Sequence, residues 1–328
     1  MTKFERILLR IPIVSFLIHK SKKLKVPGFK GLPLYDVINF FFTQVNKVGL
    51  TDRAASISFN LIMALPAAML FLFSIIPYLP GSATYKMEIL SFMKDLSPTS
   101  ATYKLIESIL NDLLKKHVGV FSFGFVLLMY YSSNATIGII RSFDHSISEK
   151  KKYWFNQRWR AMQVTFILIL LVIAAALMMV GQQLLIDTIR KLFHIKRANL
   201  SWLKGVKWIV IVGLFYYGIA FIYKFGPSVK KRWSLQSPGS LLATFLMLGT
   251  TLAFSYYVNN FGSYNKVYGS IGTVIVLLLL INFNSLILLV GFELNVSITY
   301  LDNEEEEERE AAERLILQSD LQNQLSND

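Results

Sequence analysis

Long stretches without a charged side chain alternate with short basic connections along this chain of 328 residues. No Asp, Glu, Lys or Arg occurs in 54–85, 118–140, 161–186, 233–265 or 267–292. A helix rises about 1.5 Å per residue, so crossing ~30 Å of hydrocarbon takes ~20 residues. Each of these stretches is long enough. A shorter apolar run lies between Lys207 and Lys224. Long basic side chains reach the headgroups from inside a span, so this run can also cross. The runs are too continuous for the alternating strands of a membrane barrel. The pattern predicts an all-α polytopic membrane protein with six helical spans, about 54–80, 118–140, 161–186, 207–225, 239–260 and 269–296.

The segments between and around the spans carry their own periodicity. Residues 1–50 read as an N-terminal segment lying at the membrane surface. Its apolar run 11–18, between Arg10 and Lys20, is too short to span and reads as an interfacial anchor rather than a cleaved signal. In 32–50, Leu34, Val37, Ile38, Phe41, Val45 and Val48 recur every three or four positions, which predicts an amphipathic helix. In 85–117 the spacing predicts two short amphipathic helices broken at Ser97-Pro98. Residues 51–298 form the predicted membrane domain. The tail 299–328 contains five consecutive glutamates, 304–308, and reads as a solvated appendage, disordered or weakly helical.

Composition supports the membrane reading through scarcity of charge: 53% of residues are hydrophobic, 17% are charged, and the mean hydropathy is +0.45. Soluble chains carry about 25% charged residues. The net charge of +13 is read as Lys and Arg facing anionic lipid headgroups, not nucleic acid. If the termini are cytoplasmic, 22 Lys and Arg fall on the inner side and 12 on the outer. The positive-inside rule therefore favours cytoplasmic termini.

Several chemistries lack their residues. The chain has no cysteine, so thiol catalysis and thiolate metal sites are excluded. His19, His117, His145 and His194 are scattered, with no H-E-x-x-H pattern, and no G-x-x-x-x-G-K-[ST] run occurs. Asp144-His145 is the one close acid–histidine pair, and adjacent residues on a chain rarely face each other. No enzyme, metal or cofactor is expected.

Polar residues within the spans are the remaining signal: Asn60, Asn134, Gln182, Gln183, Asn259, Asn260, Asn282 and Asn284. They either line a cavity or hydrogen-bond between helices. Asn282 and Asn284 fall near the middle of the last span. Pro66 removes a backbone donor within the first span, so a kink is expected near Ile62. Glu293 is the single acid at the edge of the last apolar run. It is placed to pair with Arg53 or Arg141, or to serve as a proton-coupling carboxylate.

The last hundred residues carry specific runs. Ser237-Pro238-Gly239-Ser240 opens the fifth span. Asn260-Phe261-Gly262-Ser263-Tyr264-Asn265-Lys266-Val267-Tyr268-Gly269-Ser270 joins the fifth to the sixth, and Gly291-Phe292-Glu293-Leu294-Asn295 closes the sixth. With Asp52-Arg53-Ala54-Ala55-Ser56 and Pro66 near the start, the chain resembles the YihY/BrkB family of bacterial inner-membrane proteins over about 35–298. The resemblance implies six membrane helices and an inner-membrane location. It implies no settled activity: members have carried a ribonuclease BN-like label, one is associated with serum resistance, and some have been linked to lipid or lipopolysaccharide export. The ribonuclease label fits poorly, since no His/Asp cluster is present to activate water on a metal.

The connecting turn has a physical reading of its own. Gly262 and Gly269 permit conformations that other residues resist, and Tyr264 and Tyr268 suit headgroup depth. The turn either holds a polar lipid head or is a packed hairpin. The expected function is translocation of an amphipathic, lipid-like envelope molecule. Asn260, Tyr264, Tyr268, Asn282, Asn284 and Glu293 are the candidate substrate or cavity residues, and Pro66, Gly262, Gly269 and Gly291 the structural ones. The alternative is a non-catalytic scaffold. Membrane lipids are the expected partners, with a second copy or an envelope protein as possible others.

Overall fold

The computed structural model describes residues 20–22, 24–78, 82, 86–87, 90, 100–115, 118–147, 154–193, 206–228, 232–260 and 270–325. Among them, six helices are long and apolar enough to cross a membrane. The chain is an all-α polytopic membrane protein.

The helix predicted in 32–50 is α1, Leu34–Lys47. Val37 is fully buried and packs with Phe29, Leu32 and Ile298. The loop ahead of α1 is held by an isolated bridge between Lys25 and Pro33. Gly28 within it has φ 91°, and a Cβ there would sit 2.9 Å from the Pro238 ring, so only glycine suits the position.

The first span is α2, Leu50–Ile75, which runs on through Pro66 and ends in the short 3₁₀ turn Ile76–Tyr78. Helix α3, Ser100–Leu113, is the second of the two predicted amphipathic helices. The first falls mostly outside the described residues, and the 11–18 run lies wholly outside them. The other spans lie in α4 (Val118–Ser146), α5 (Trp154–Phe193), α6 (Val206–Phe225), α7 (Pro238–Asn260) and α8 (Ser270–Leu325).

Packing between neighbours closes a ring. Helix α2 lies against α4, α4 against α5, α5 against α6, α6 against α7, α7 against α8, and α8 returns to α2. Helix α8 also touches α4 across the ring, and α1 packs on α8. The largest core cluster fills the ring at the end where α2 begins. There Phe143 and Phe292 stack at 3.8 Å between centroids, and Tyr223 meets both edge-on. The Tyr223 hydroxyl donates to the Leu288 carbonyl at 2.6 Å, so its one polar atom is satisfied inside the core.

Of the two states expected for the tail, the structure shows helix. Helix α8 does not stop near residue 299 but continues to Leu325. No Gly or Pro interrupts 297–325, and Glu, Ala, Arg, Leu and Gln, all strong helix formers, dominate the stretch. Glu305 pairs with Arg309 and Glu310 with Arg314, each four residues apart with the acid first, the favourable order on a helix. These pairs offset part of the repulsion within the acidic run.

Candidate functional site

Polar side chains gather at the end of the ring where α2 begins. Arg53 is one turn into α2, 11% exposed, and its Nη1 lies 3.1 Å from Oε1 of the fully buried Glu293 on α8. Its Nη2 donates to the Ser142 carbonyl, and the Ser146 hydroxyl donates to Glu293. Three helices thus meet on one ion pair. Of the two partners named for Glu293 in the sequence, the structure selects Arg53. Arg53 Nε and Glu293 Oε2 are buried without a hydrogen-bond partner among the described residues.

A second network lies beside it. The Asp144 carboxylate accepts the Ser228 backbone N–H at 2.9 Å, the Ser228 hydroxyl at 3.0 Å and the Gln157 amide at 3.2 Å. Arg160 lies 3.9 Å from the same carboxylate and donates to the Gly226 carbonyl and Ser228. Asp144 therefore ties α4 to α5 and to the connection after α6. His145 points elsewhere, into a cleft, so the adjacent pair does not act together.

The runs that opened and closed the last two spans meet in space. Asn295 on α8 accepts the Gly239 N–H at 2.9 Å and donates to Ser237 at 3.0 Å, capping the start of α7 from a neighbouring helix. A Cβ at Gly291 would sit 2.6 Å from both the Gly239 carbonyl and the Tyr223 hydroxyl, and one at Gly239 would collide with the Gly291 carbonyl. Both glycines are required by backbone approach.

An open cleft of about 450 Å³ lies on the other side of Arg53, between α2, α4 and α5. Arg53, Arg141 and Arg158 face it, with Asp52 as its single carboxylate among the described residues. Arg158 donates to the Asn134 amide oxygen at 3.1 Å and stacks over Tyr130. Arg141 is exposed and makes no hydrogen bond or ion pair among the described residues. From Arg53 to Asn60 the cleft follows α2 for about 10 Å at 1.5 Å per residue. Gly138 on α4 admits Asn60, whose amide would lie 3.0 Å from a Cβ there.

The other sequence candidates are placed as follows. Asn282 on α8 approaches Ser58 on α2 at 3.4 Å, a long contact between helices. Asn284 is partly buried, and its Oδ1 has no partner among the described residues. Neither borders the cleft, nor does Glu293. Asn260 ends α7, with its side chain undescribed. Gly262, Tyr264, Tyr268 and Gly269 lie outside the described residues. Among the described residues, no group of three His, Asp or Glu side chains is placed to hold a metal. Sequence reasoning missed Arg158 and the joint role of Arg141 and Asn134; their signal is the helical spacing of Asn134, Gly138, Arg141 and His145 down one face of α4.

Comparison with known proteins gives one consistent family. The profile described as Virulence factor BrkB matches residues 41–315. The "Putative ribonuclease-like protein YfkH" of Bacillus subtilis is 27% identical over 252 residues, covering 74% of this chain and 88% of the relative. A "UPF0761 membrane protein" of Haemophilus influenzae is 23% identical, covering 77% and 91% of the two chains, and one of Tolumonas auensis is 21% identical, covering 79% and 84%. No solved structure matches.

Proposed function

The chain belongs to the Virulence factor BrkB family, and on that premise we propose that this integral membrane protein translocates an amphipathic envelope molecule across the bacterial inner membrane. The observation that carries the reading is the cleft. It is open and lined by polar side chains, and its Arg53 and Arg141 flank the charge-free stretches 54–85 and 118–140, where basic side chains are expected at headgroup depth. With the termini in the cytoplasm, as the Lys and Arg bias favours, it opens toward the inner leaflet. Arg53 lines the cleft and pairs behind it with Glu293, which does not border it; Asn282 and Asn284 lie on α8, away from the cleft.

The test is reconstitution. Vesicles containing the purified chain are expected to move fluorescently labelled lipids between leaflets faster than protein-free vesicles, for at least one headgroup among several. No acceleration over a broad set of headgroups would refute translocation.

One observation favours a second reading, a non-catalytic scaffold: the ring is filled by Phe143, Phe292 and Tyr223 beside the cleft. A stable protein partner whose removal reproduces the phenotype of deleting this chain would support it.

A further inference from the structure

We propose that the cleft is a binding site for a phosphate-bearing anionic headgroup, with Arg141 and Arg158 as its ligating residues. The inference rests on reading the cleft as the substrate's entry and names the substrate's chemistry.

Charge is the first support. The charge of Arg53 is matched by Glu293. Among the described residues that leaves Arg141 and Arg158 against Asp52, an exposed carboxylate at the mouth. Arg141 has its whole donor set free of hydrogen bonds and ion pairs among the described residues. Arg158 is held in plane by Tyr130 and Asn134, which orients its remaining N–H groups. A guanidinium presents paired donors that match two oxygens of a phosphate, and two such groups suit its divalent charge better than a carboxylate's single one.

Size and shape are the second. The volume of about 450 Å³ is that of a small-molecule pocket, larger than a phosphate ion requires. The two helix faces that line it continue at helical spacing onto Met63 beyond Asn60, and onto Tyr130 beyond Asn134. Met63 and Tyr130 are 49% and 52% exposed, on the apolar outer surface of the spans. A ligand with its phosphate among the arginines has a lipid-facing path for an attached chain.

Calorimetric titration of the full-length chain in dodecyl maltoside tests this with dihexanoyl phosphatidic acid as the probe. Saturable binding is expected, and Arg141→Gln and Arg158→Gln each weaken it by roughly ten- to a hundred-fold. Arg141→Lys, which keeps the charge and loses the fork, falls between. Lys104→Gln, on α3 and exposed, leaves binding unchanged. Inorganic phosphate binding as tightly as the lipid would support the phosphate site and assign it to a soluble ion. The inference is overturned if binding is absent, if both arginine variants bind like the unaltered chain, or if dodecanoate binds equally well. Binding without movement of labelled lipid would remove translocation and leave this inference standing. Movement that persists with both arginines replaced would do the reverse.

Discussion

Truncating Glu293 to alanine isolates the energetic weight of the ion pair that joins α2, α4 and α8. In Glu293→Ala the Arg53 side chain, 11% exposed in the unaltered chain, loses its ion-pair partner and keeps the Ser142 carbonyl as its hydrogen-bond acceptor among the described residues. The Ser146 hydroxyl also loses its acceptor. Removing one member of a buried pair costs about 3–5 kcal/mol, because the other charge is left unpaired. Glu293→Gln keeps an oxygen for both donors and is expected to cost less. Replacing both residues, Arg53→Met with Glu293→Leu, removes the stranded charge, and apolar replacements of such pairs range from neutral to about 1–4 kcal/mol stabilising. The double variant is therefore expected to be at least ~3 kcal/mol more stable than Glu293→Ala. Unfolding in mixed micelles titrated with dodecyl sulfate, followed by circular dichroism, measures all four proteins. The reasoning fails if Glu293→Ala stays within ~1 kcal/mol of the unaltered chain, or if the double variant is no more stable than the single.

The same assay reads three further sites. Gly291→Ala places a Cβ against the Gly239 carbonyl and the Tyr223 hydroxyl; forcing α7 from α8 is expected to cost about 1–3 kcal/mol, and an unchanged midpoint would contradict the close crossing. Asn295→Ala strips the buried Gly239 N–H of its acceptor and is expected to cost about 1–3 kcal/mol, with Asn295→Asp recovering part of it. Phe143→Ala opens a cavity beside Phe292 and is expected to cost about 3–5 kcal/mol. Orientation is tested separately in this cysteine-free chain: an impermeant maleimide should label intact cells carrying Met87→Cys, and cells carrying Lys25→Cys only after permeabilisation. The opposite pattern would place the termini outside.

The six spans were legible because a bilayer imposes two demands a sequence must meet in plain view, length and absence of charge. The pairing of Glu293 was half legible. One acid at the edge of an apolar run needs a cation at its own depth, and Arg53 and Arg141 both qualify. The choice depends on α8 lying beside α2, which follows from packing around the ring and leaves no mark on local periodicity. The close approach of Gly239 and Gly291 was carried by the two runs that contain them, yet nothing in either run says that they face each other. The cleft was written along α4 as polar positions at helical spacing, but its third wall, with Arg158, arrives from α5 after a connection whose path no periodicity gives. The tail stayed open between disorder and helix because five adjacent glutamates repel one another, while the helix formers and arginines that follow favour helix.

A span that continues outward without a break converts small motions into large ones. Leu325 lies roughly 48 Å along α8 from Glu293, at 1.5 Å per residue. Tilting a rigid rod of that length by about 10° around Glu293 sweeps its far end through about 8 Å. Whatever rocks the last span at its buried carboxylate is thereby broadcast, as a lever arm would do it, to anything that grips the acidic stalk.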